Sequence, residues 1–317
     1  MSTTELDVLV VLVTHNAADD LEPCVESVRA GCGDCTSEII VVDSGSTDGT
    51  ARVAESLGVR TLQLPNVGYG AGNNEGVRSG PAARYVFFVN PDARIRQGSI
   101  SDLVRYADER PHVGVLAPRL VAPDGVAVPS LAPFESSWQR LRHQVTGHEL
   151  GEGNRSVDDF ASFGCATGCA LVVRSECFAS VGGFDERFFL YAEERDLQRA
   201  TSERWEHSTF PPLVVEHDTA GRLPETRLFS QVFRADLYYA RKWDGRLGEI
   251  ATRAALAFEL LRRLTARDDW FSSYVAALRV VLTERVLRDA DEGRARQIHR
   301  TLGTGERMLS NRGRPTA

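Results

Sequence analysis

Three short, almost unbroken apolar runs and one more polar run, each followed by a helical pattern, constrain this 317-residue chain more than any other feature. In chain order they are DVLVVLVTH (7–15), EIIVVD (38–43), the more polar VRTLQLP (59–65), which also reads as a strand, and RYVFFVN (84–90). A run without polar alternation reads as a strand covered on both faces, the place of a parallel strand between two helical layers. The helices come where that architecture needs them. ADDLEPCVESVRAG (18–31) repeats Leu21, Cys24, Val25 and Val28 at helical spacing. STDGTARVAESLG (46–58) opens on Ser/Thr/Asp capping chemistry and closes on Gly58, and GYGAGNNEGVRSG (68–80) is glycine-rich and then helical. Repeated βα units of this length predict an α/β fold with a mostly parallel central sheet, right-handed crossovers and flanking helices. Further along, SISDLVRYADERP (99–111) reads as a helix stopped by Pro111. VGVLAPRLV (113–121) and CALVVR (169–174) read as strands, 175–205 as two helices around a turn, and FPPLVVEHDTAG (210–221) as a last short strand. Residues 122–160 are looser, with two short helical stretches. From about 226 the pattern is helical only: the segments 247–266 and 270–290 are amphipathic, with Arg on one face, and 303–317 reads as a frayed tail. The expected division is an α/β domain over 1–225 and a helical extension over 226–317.

Bulk properties close off several classes of function. A net charge of -7 leaves no basic excess to neutralise phosphates, so no nucleic-acid partner is expected. No apolar run approaches the roughly 18 residues of a membrane span. Glu5 and Asp7 interrupt the N-terminus where a signal peptide would be apolar, so a cytoplasmic location is expected. The six cysteines include Cys32-x-x-Cys35, but a zinc ribbon needs a second such pair, and Cys165/Cys169 is wider and has no His beside it. Reduced thiols are expected. The turn after the first strand, VTHNAADD (13–20), has no glycine, and the GxGxG at 68–72 follows the third strand, so a dinucleotide-binding dehydrogenase is not indicated.

Three polar clusters fall where strands of such a sheet end, and open α/β sheets keep their ligand crevice there. Asp43 closes the second run, and a carboxylate in that place can accept hydrogen bonds from a base or ribose; Asp48 reads as a capping residue. Asn90-Pro91-Asp92 closes the fourth run, because Pro91 cannot continue the ladder. Hard oxygen ligands on one turn can hold Mg²⁺ or Mn²⁺. Glu193, Glu194 and Asp196 share one helical turn after GGFDERFFLY, whose aromatic side chains can desolvate a carboxylate and raise its pKa, as a general base requires.

In order as well as type, VTHN, IIVVDSGSTDGT, NVGYGAGNNEGV, FFVNPDARI, TGCALVVRSECFASVGGFDERFFLYAEERDL and VVEHDTAG resemble the inverting family 2 glycosyltransferases of the GT-A fold, over roughly residues 7–220. Within that family the NPDA and GGFDERFFLY forms look most like bacterial rhamnosyltransferases that use dTDP-L-rhamnose. The resemblance implies that Thr14 and Asn16 line the nucleotide end of the first strand, that Asp43 contacts the base or its ribose, and that Gly72 and Asn73 lie near the sugar nucleotide. Asp92 takes the last position of the family's DxD signature and would ligate the Mg²⁺ or Mn²⁺ that bridges the diphosphate. Asn90 stands where the family more often has Asp. The family's Glu-Asp pair reads Glu193-Glu194, so Glu194, one methylene longer than the usual Asp, falls on the general-base position, with Glu193 and Asp196 as further candidates. His217 matches a histidine that can join the metal or diphosphate site.

The activity so implied is inverting transfer of a sugar, from dTDP-rhamnose or a UDP-sugar, to a hydroxyl of a glycan, a polyprenyl-linked sugar or a small-molecule aglycone. Cell-wall or polysaccharide assembly is the expected setting, and variable loops over 122–165 would shape the acceptor pocket. The Asn90 and Glu194 departures keep a second reading open, an inactive domain of the same fold that binds a sugar nucleotide or a partner. A nucleotidyltransferase shares the sheet and the metal, but its early glycine-rich loop with Lys or Arg is missing. The amphipathic C-terminal helices are expected to pack on the main domain or on a second subunit in a homodimer. Peripheral membrane contact is the other use of their aromatic and basic residues.

Overall fold

The computed structural model describes residues 5–146, 164–217, 226–264, 270–284 and 286. The apolar runs become strands because only a site between two helical layers removes both of their faces from water. In β1 (Leu6–Thr14), Val8 to Leu12 are at most 1% exposed, and each such side chain contributes about 1.5–3 kcal/mol on burial. The chain continues through α1 (Ala18–Gly31), β2 (Ser37–Ser44), α2 (Thr50–Ser56), β3 (Arg60–Leu64), α3 (Tyr69–Ser79), β4 (Ala83–Val89), β5 (Ala93–Gln97), α4 (Ile100–Asp108) and β6 (Val113–Val121). It goes on through β7 (Leu131–Ala132), α5 (Ser137–Thr146), β8 (Cys165–Ala166), β9 (Ala170–Arg174), α6 (Ser175–Ser180), α7 (Glu193–Thr201), β10 (Glu206–His217), α8 (Thr226–Leu264) and α9 (Phe271–Thr283).

Among the described residues the main sheet has eight strands in the order β3-β2-β1-β4-β9-β6-β10-β5. The first four pair in parallel, as expected. The other half is mixed: β9 runs antiparallel to both β4 and β6, β10 runs parallel to β6, and β5 runs antiparallel to β10. An apolar run buried on both faces looks the same in either direction, so the pattern of 169–174 carried no sign of the reversal. β5 was not anticipated at all; ARIRQ is short and half polar, and it exists because β10 supplies a partner. Of the two short helices expected in 122–160, α5 is one; residues 147–163 lie outside the described residues, as do 218–225 and the tail at 303–317.

Helix α3 sits unusually close to the sheet. A Cβ at Gly72, Gly76 or Gly80 would come within 2.9, 2.5 and 2.6 Å of Val13, Val11 and Leu9. Every fourth residue of the helix therefore meets every second residue of β1, which matches the two periods. The glycine-rich stretch is first of all a packing seam.

The helical extension begins at Thr226 and is broken at Gly245, whose φ of 70° interrupts α8. The part before the break packs Ala235, Tyr238 and Tyr239 on Phe188 and Ala192 of the α/β domain. α9 packs Tyr274, Ala277, Val280 and Val281 against Phe229, Phe233, Leu256 and Leu260 of α8. Packing on the α/β domain is thus made by the segment before Gly245, whereas the amphipathic segments expected to make it pack within the α8–α9 core.

Candidate active site

The turns that follow β1, β2 and β4 and the start of α7 converge at the carboxyl edge of the sheet. Register places Thr14 beside Asp43. Asp43 is buried and its Oδ1 accepts from the Ser46 backbone N–H at 3.1 Å, which shapes the polar turn after β2. Asn16 has a positive φ of 53° and its Oδ1 accepts from the Thr47 backbone N–H at 2.8 Å, so the first and second loops are stitched together. Asp48 binds the Ala18 and Thr50 backbone N–H groups and the Thr50 hydroxyl, and that hydroxyl above all holds its carboxyl below the usual range. Its capping role is thus broader than expected, because it joins the starts of α1 and α2. The Thr14 hydroxyl is buried without a hydrogen-bond partner, an unsatisfied group at the mouth of the crevice.

Gly72 touches Val13 through the packing seam, and Asn73 is wholly buried, its Nδ2 donating to the Tyr69 carbonyl at 3.1 Å while its Oδ1 is unpartnered. Both therefore act on the fold directly. Asn90 is tied through its backbone: its N–H donates to the Cys169 carbonyl at 2.8 Å and its carbonyl accepts from Ala93 at 3.1 Å. That turn presents Asp92. Because β5 pairs Ala93 with His217, the imidazole Nε2 of His217 lies 3.4 Å from Asp92 Oδ1, about the separation of two adjacent ligands on one cation. His217 Nδ1 is buried with no hydrogen-bond partner. The contact is an ion pair when the imidazole is protonated, and with the imidazole neutral the Asp92 carboxylate could hold Mg²⁺ or Mn²⁺ with His217 beside it. No group of three such ligands occurs among the described residues, so further coordination would fall to phosphate oxygens and water.

The acidic trio separates. α7 begins at a strained elbow, with Tyr191 and Ala192 at φ of 72° and 65°. With Asn16, these are the non-glycine residues of positive φ among those described, and all three fall at this edge. Glu193 is 3% exposed, lies against Gly70 of α3, and leaves Oε2 unpartnered; burial, reinforced by Glu194, pushes its carboxyl well above the usual range. Glu194 is half-buried and lines a cavity of about 290 Å³ with Thr167, Tyr191, Arg195 and Asp236. Burial raises its carboxyl too, with Arg195 opposing. Gly168 makes room for it: a Cβ there would stand 2.8 Å from Glu194 Cβ. Asp196 serves differently. It accepts from Lys242 Nζ at 2.7 Å and Trp243 Nε1 at 2.8 Å, clamping α7 to α8. A larger cavity of about 470 Å³ lies at the starts of β2 and β3, the opposite end of the sheet.

Several contributors had no individual signal in the sequence. Lys242, the only lysine of the chain, also binds Asp185 at 2.9 Å. Asp185 lies in the GGFDERFFLY motif, and burial there is outweighed by Arg187 and Lys242, so its carboxyl is held far below the usual range. Asp236 accepts from both Arg195 and Arg140, which likewise overcome its burial. Gln198 zips α7 to β8 through the Ala166 N–H and carbonyl at 2.7 and 2.8 Å. Partners 32 to 96 residues away cannot be read from spacing.

Comparison with known proteins identifies the family and the fold. The family model for glycosyl transferase family 2 matches residues 9–174. The N-acetylglucosaminyl-diphospho-decaprenol L-rhamnosyltransferase of Mycobacterium tuberculosis is 31% identical over 271 residues, covering 75% of this chain and 86% of that protein. Among solved structures, the mannosyltransferase PcManGT from Pyrobaculum calidifontis, in complex with GDP-Man and Mn²⁺, superposes with a TM-score of 0.53 at 16% identity, over 98% of this chain and 89% of that one. The 1–349 form of S. aureus TarS gives a TM-score of 0.52 at 18% identity, over 89% and 82%. These last two likenesses are of fold.

Proposed function

The chain belongs to glycosyl transferase family 2 and so transfers a sugar from a nucleotide donor; from that premise we propose that it moves L-rhamnose from dTDP-L-rhamnose to a hydroxyl of an N-acetylglucosaminyl-diphospho-polyprenol in cell-wall glycan assembly. The observation that carries the proposal is the 31% identity to the mycobacterial rhamnosyltransferase, which extends over 86% of that protein. The site supplies matching chemistry. The nucleoside lies against Thr14, Asn16 and Asp43, and the diphosphate lies towards Asp92 and His217. A divalent cation bound there supplies positive charge where the departing diphosphate gains negative charge.

The acceptor enters the cavity beside Glu194. An alcohol is a weak nucleophile at neutral pH, so Glu194 takes its proton as the oxygen bonds to the anomeric carbon and the nucleoside diphosphate leaves from the opposite face. Desolvation raises the proton affinity of Glu194, which suits it to that task. Inversion follows from the single displacement and needs no covalent intermediate. Glu193, deeper and against α3, has its own proton affinity raised by burial and by Glu194. Asp196 holds the helix that carries both.

The test is incubation of the purified protein with Mn²⁺, an N-acetylglucosaminyl-diphospho-polyprenol of short chain, and a panel of dTDP- and UDP-sugars, read by mass spectrometry. A product heavier by one deoxyhexose, with dTDP-rhamnose alone, is the expected result. Transfer of a hexose from a UDP-sugar would replace the donor; neither free nor transferred sugar with any donor would favour an inactive binding domain.

A further inference from the structure

We propose that the outer faces of α5, of α8 beyond Gly245 and of α9 form a platform that rests on an anionic lipid bilayer. Ten large apolar side chains are exposed among the described residues, and nine of them lie on these three helices. On α8, Leu247, Ile250, Phe258 and Leu261 are 41–67% exposed. At 100° per residue they fall within an arc of about 80°, so they form one stripe and not a scatter. Arg246 and Arg262, both exposed, border that stripe on either side. The opposite side of the same helix already carries Leu256 and Leu260 in the α8–α9 core, so the stripe is a second apolar face. On α9, Phe271, Val275 and Leu282 repeat the arrangement, with exposed Arg279 beside them. α5, packed against α8, adds Trp138 and Val145. Apolar and aromatic residues flanked by arginine are the composition of helices that lie in a membrane interface.

The charge of the chain is divided in the same way. Residues 1–225 hold 33 Asp and Glu against 19 Lys and Arg, whereas residues 226–317 hold 18 Lys and Arg against 11 Asp and Glu. An anionic surface repels the first part and attracts the second, which fixes the orientation of the molecule. The same distribution disfavours a second copy as the occupant, because a two-fold contact would set Arg246 and Arg262 against arginines of like charge. No described helix is long and apolar enough to cross a membrane, so contact would be peripheral. The platform stands independently of the sugar transferred; with a polyprenyl-linked acceptor it would hold the Glu194 cavity near the headgroups.

Flotation of the full chain with vesicles tests this without any measurement of activity. Vesicles of phosphatidylcholine with phosphatidylglycerol are expected to carry the protein, phosphatidylcholine alone far less, and added salt to release it. Phe258→Glu with Leu261→Glu should weaken partitioning about tenfold, and so should Arg246→Glu with Arg262→Glu, with the melting temperature of both unchanged because the four side chains are exposed. Variants that float like the unaltered protein would overturn the proposal, as would absence of flotation with anionic vesicles. A dimer in solution that Phe258→Glu splits, with no vesicle binding, would replace the bilayer by a second copy.

Discussion

The proposed nucleotide and acceptor ends of the site are built by different means. At the nucleotide end, polar side chains bind backbone: Asp43 to the Ser46 N–H, Asn16 to the Thr47 N–H, Asp48 to the N–H groups of Ala18 and Thr50. At the acceptor end they bind one another across the chain: Asp196 and Asp185 to Lys242, Asp236 to Arg195 and Arg140. Backbone donors are fixed once the strands are placed, so the first end is a rigid receptor. The second is a web of ions whose removal exposes buried charge, and it surrounds the two glutamates with raised proton affinity. On the proposed assignment, binding falls to the part that cannot be retuned and proton transfer to the part that can.

The sharpest way to break this contrast is at Asp92. Asp92→Ala should lower turnover a hundredfold or more and abolish the Mn²⁺ dependence of nucleoside diphosphate binding by calorimetry. Unchanged metal-dependent affinity would remove this residue from the receptor end. Glu194→Gln should cost about a hundredfold in turnover and leave donor affinity as it is, separating the two ends functionally. In the unaltered enzyme the rate should fall on the acid side at a pH above the ordinary glutamate value, because burial raises that group. If Glu193→Gln is the dead variant instead, the base is one position earlier.

Smaller effects sharpen the comparison through stability. Lys242→Met leaves Asp185 and Asp196 without their shared cation and should destabilise by about 2 kcal/mol in urea unfolding. Gly76→Ala, in the α3–β1 seam away from the receptor loops, forces a methyl onto Val11 and should cost about 1–3 kcal/mol with donor affinity little altered. Least of all, Glu193→Gln should raise the melting temperature by about 2–4 °C at neutral pH. The sign follows from the raised folded-state pKa: stability is intact below the unfolded value and is lost as pH rises through the folded one, so the gain should vanish in acid.

Legibility in the sequence followed the same division. Thr14, Asp43 and Asp92 end apolar runs, and a strand's end can be read locally from where the run stops. The parallel half of the sheet was legible for that reason. The direction of β9 was not, since burial on both faces has no polarity along the strand. Nor could spacing separate Glu193, Glu194 and Asp196, which share one turn; their environments come from α3, the β8–β9 turn and α8, far away in sequence. The glycines of 68–80 were legible as a motif, while their contact with β1 required the sheet to be in place.

Lys242 carries the single ε-amine of the chain, and that amine is engaged at the junction between α7 and α8. Apart from the N-terminal amine, any reagent selective for primary amines therefore has one address. Its rate of labelling would clock how often the ionic clasp lets go, giving a chemical stopwatch for the acceptor side without any engineered handle.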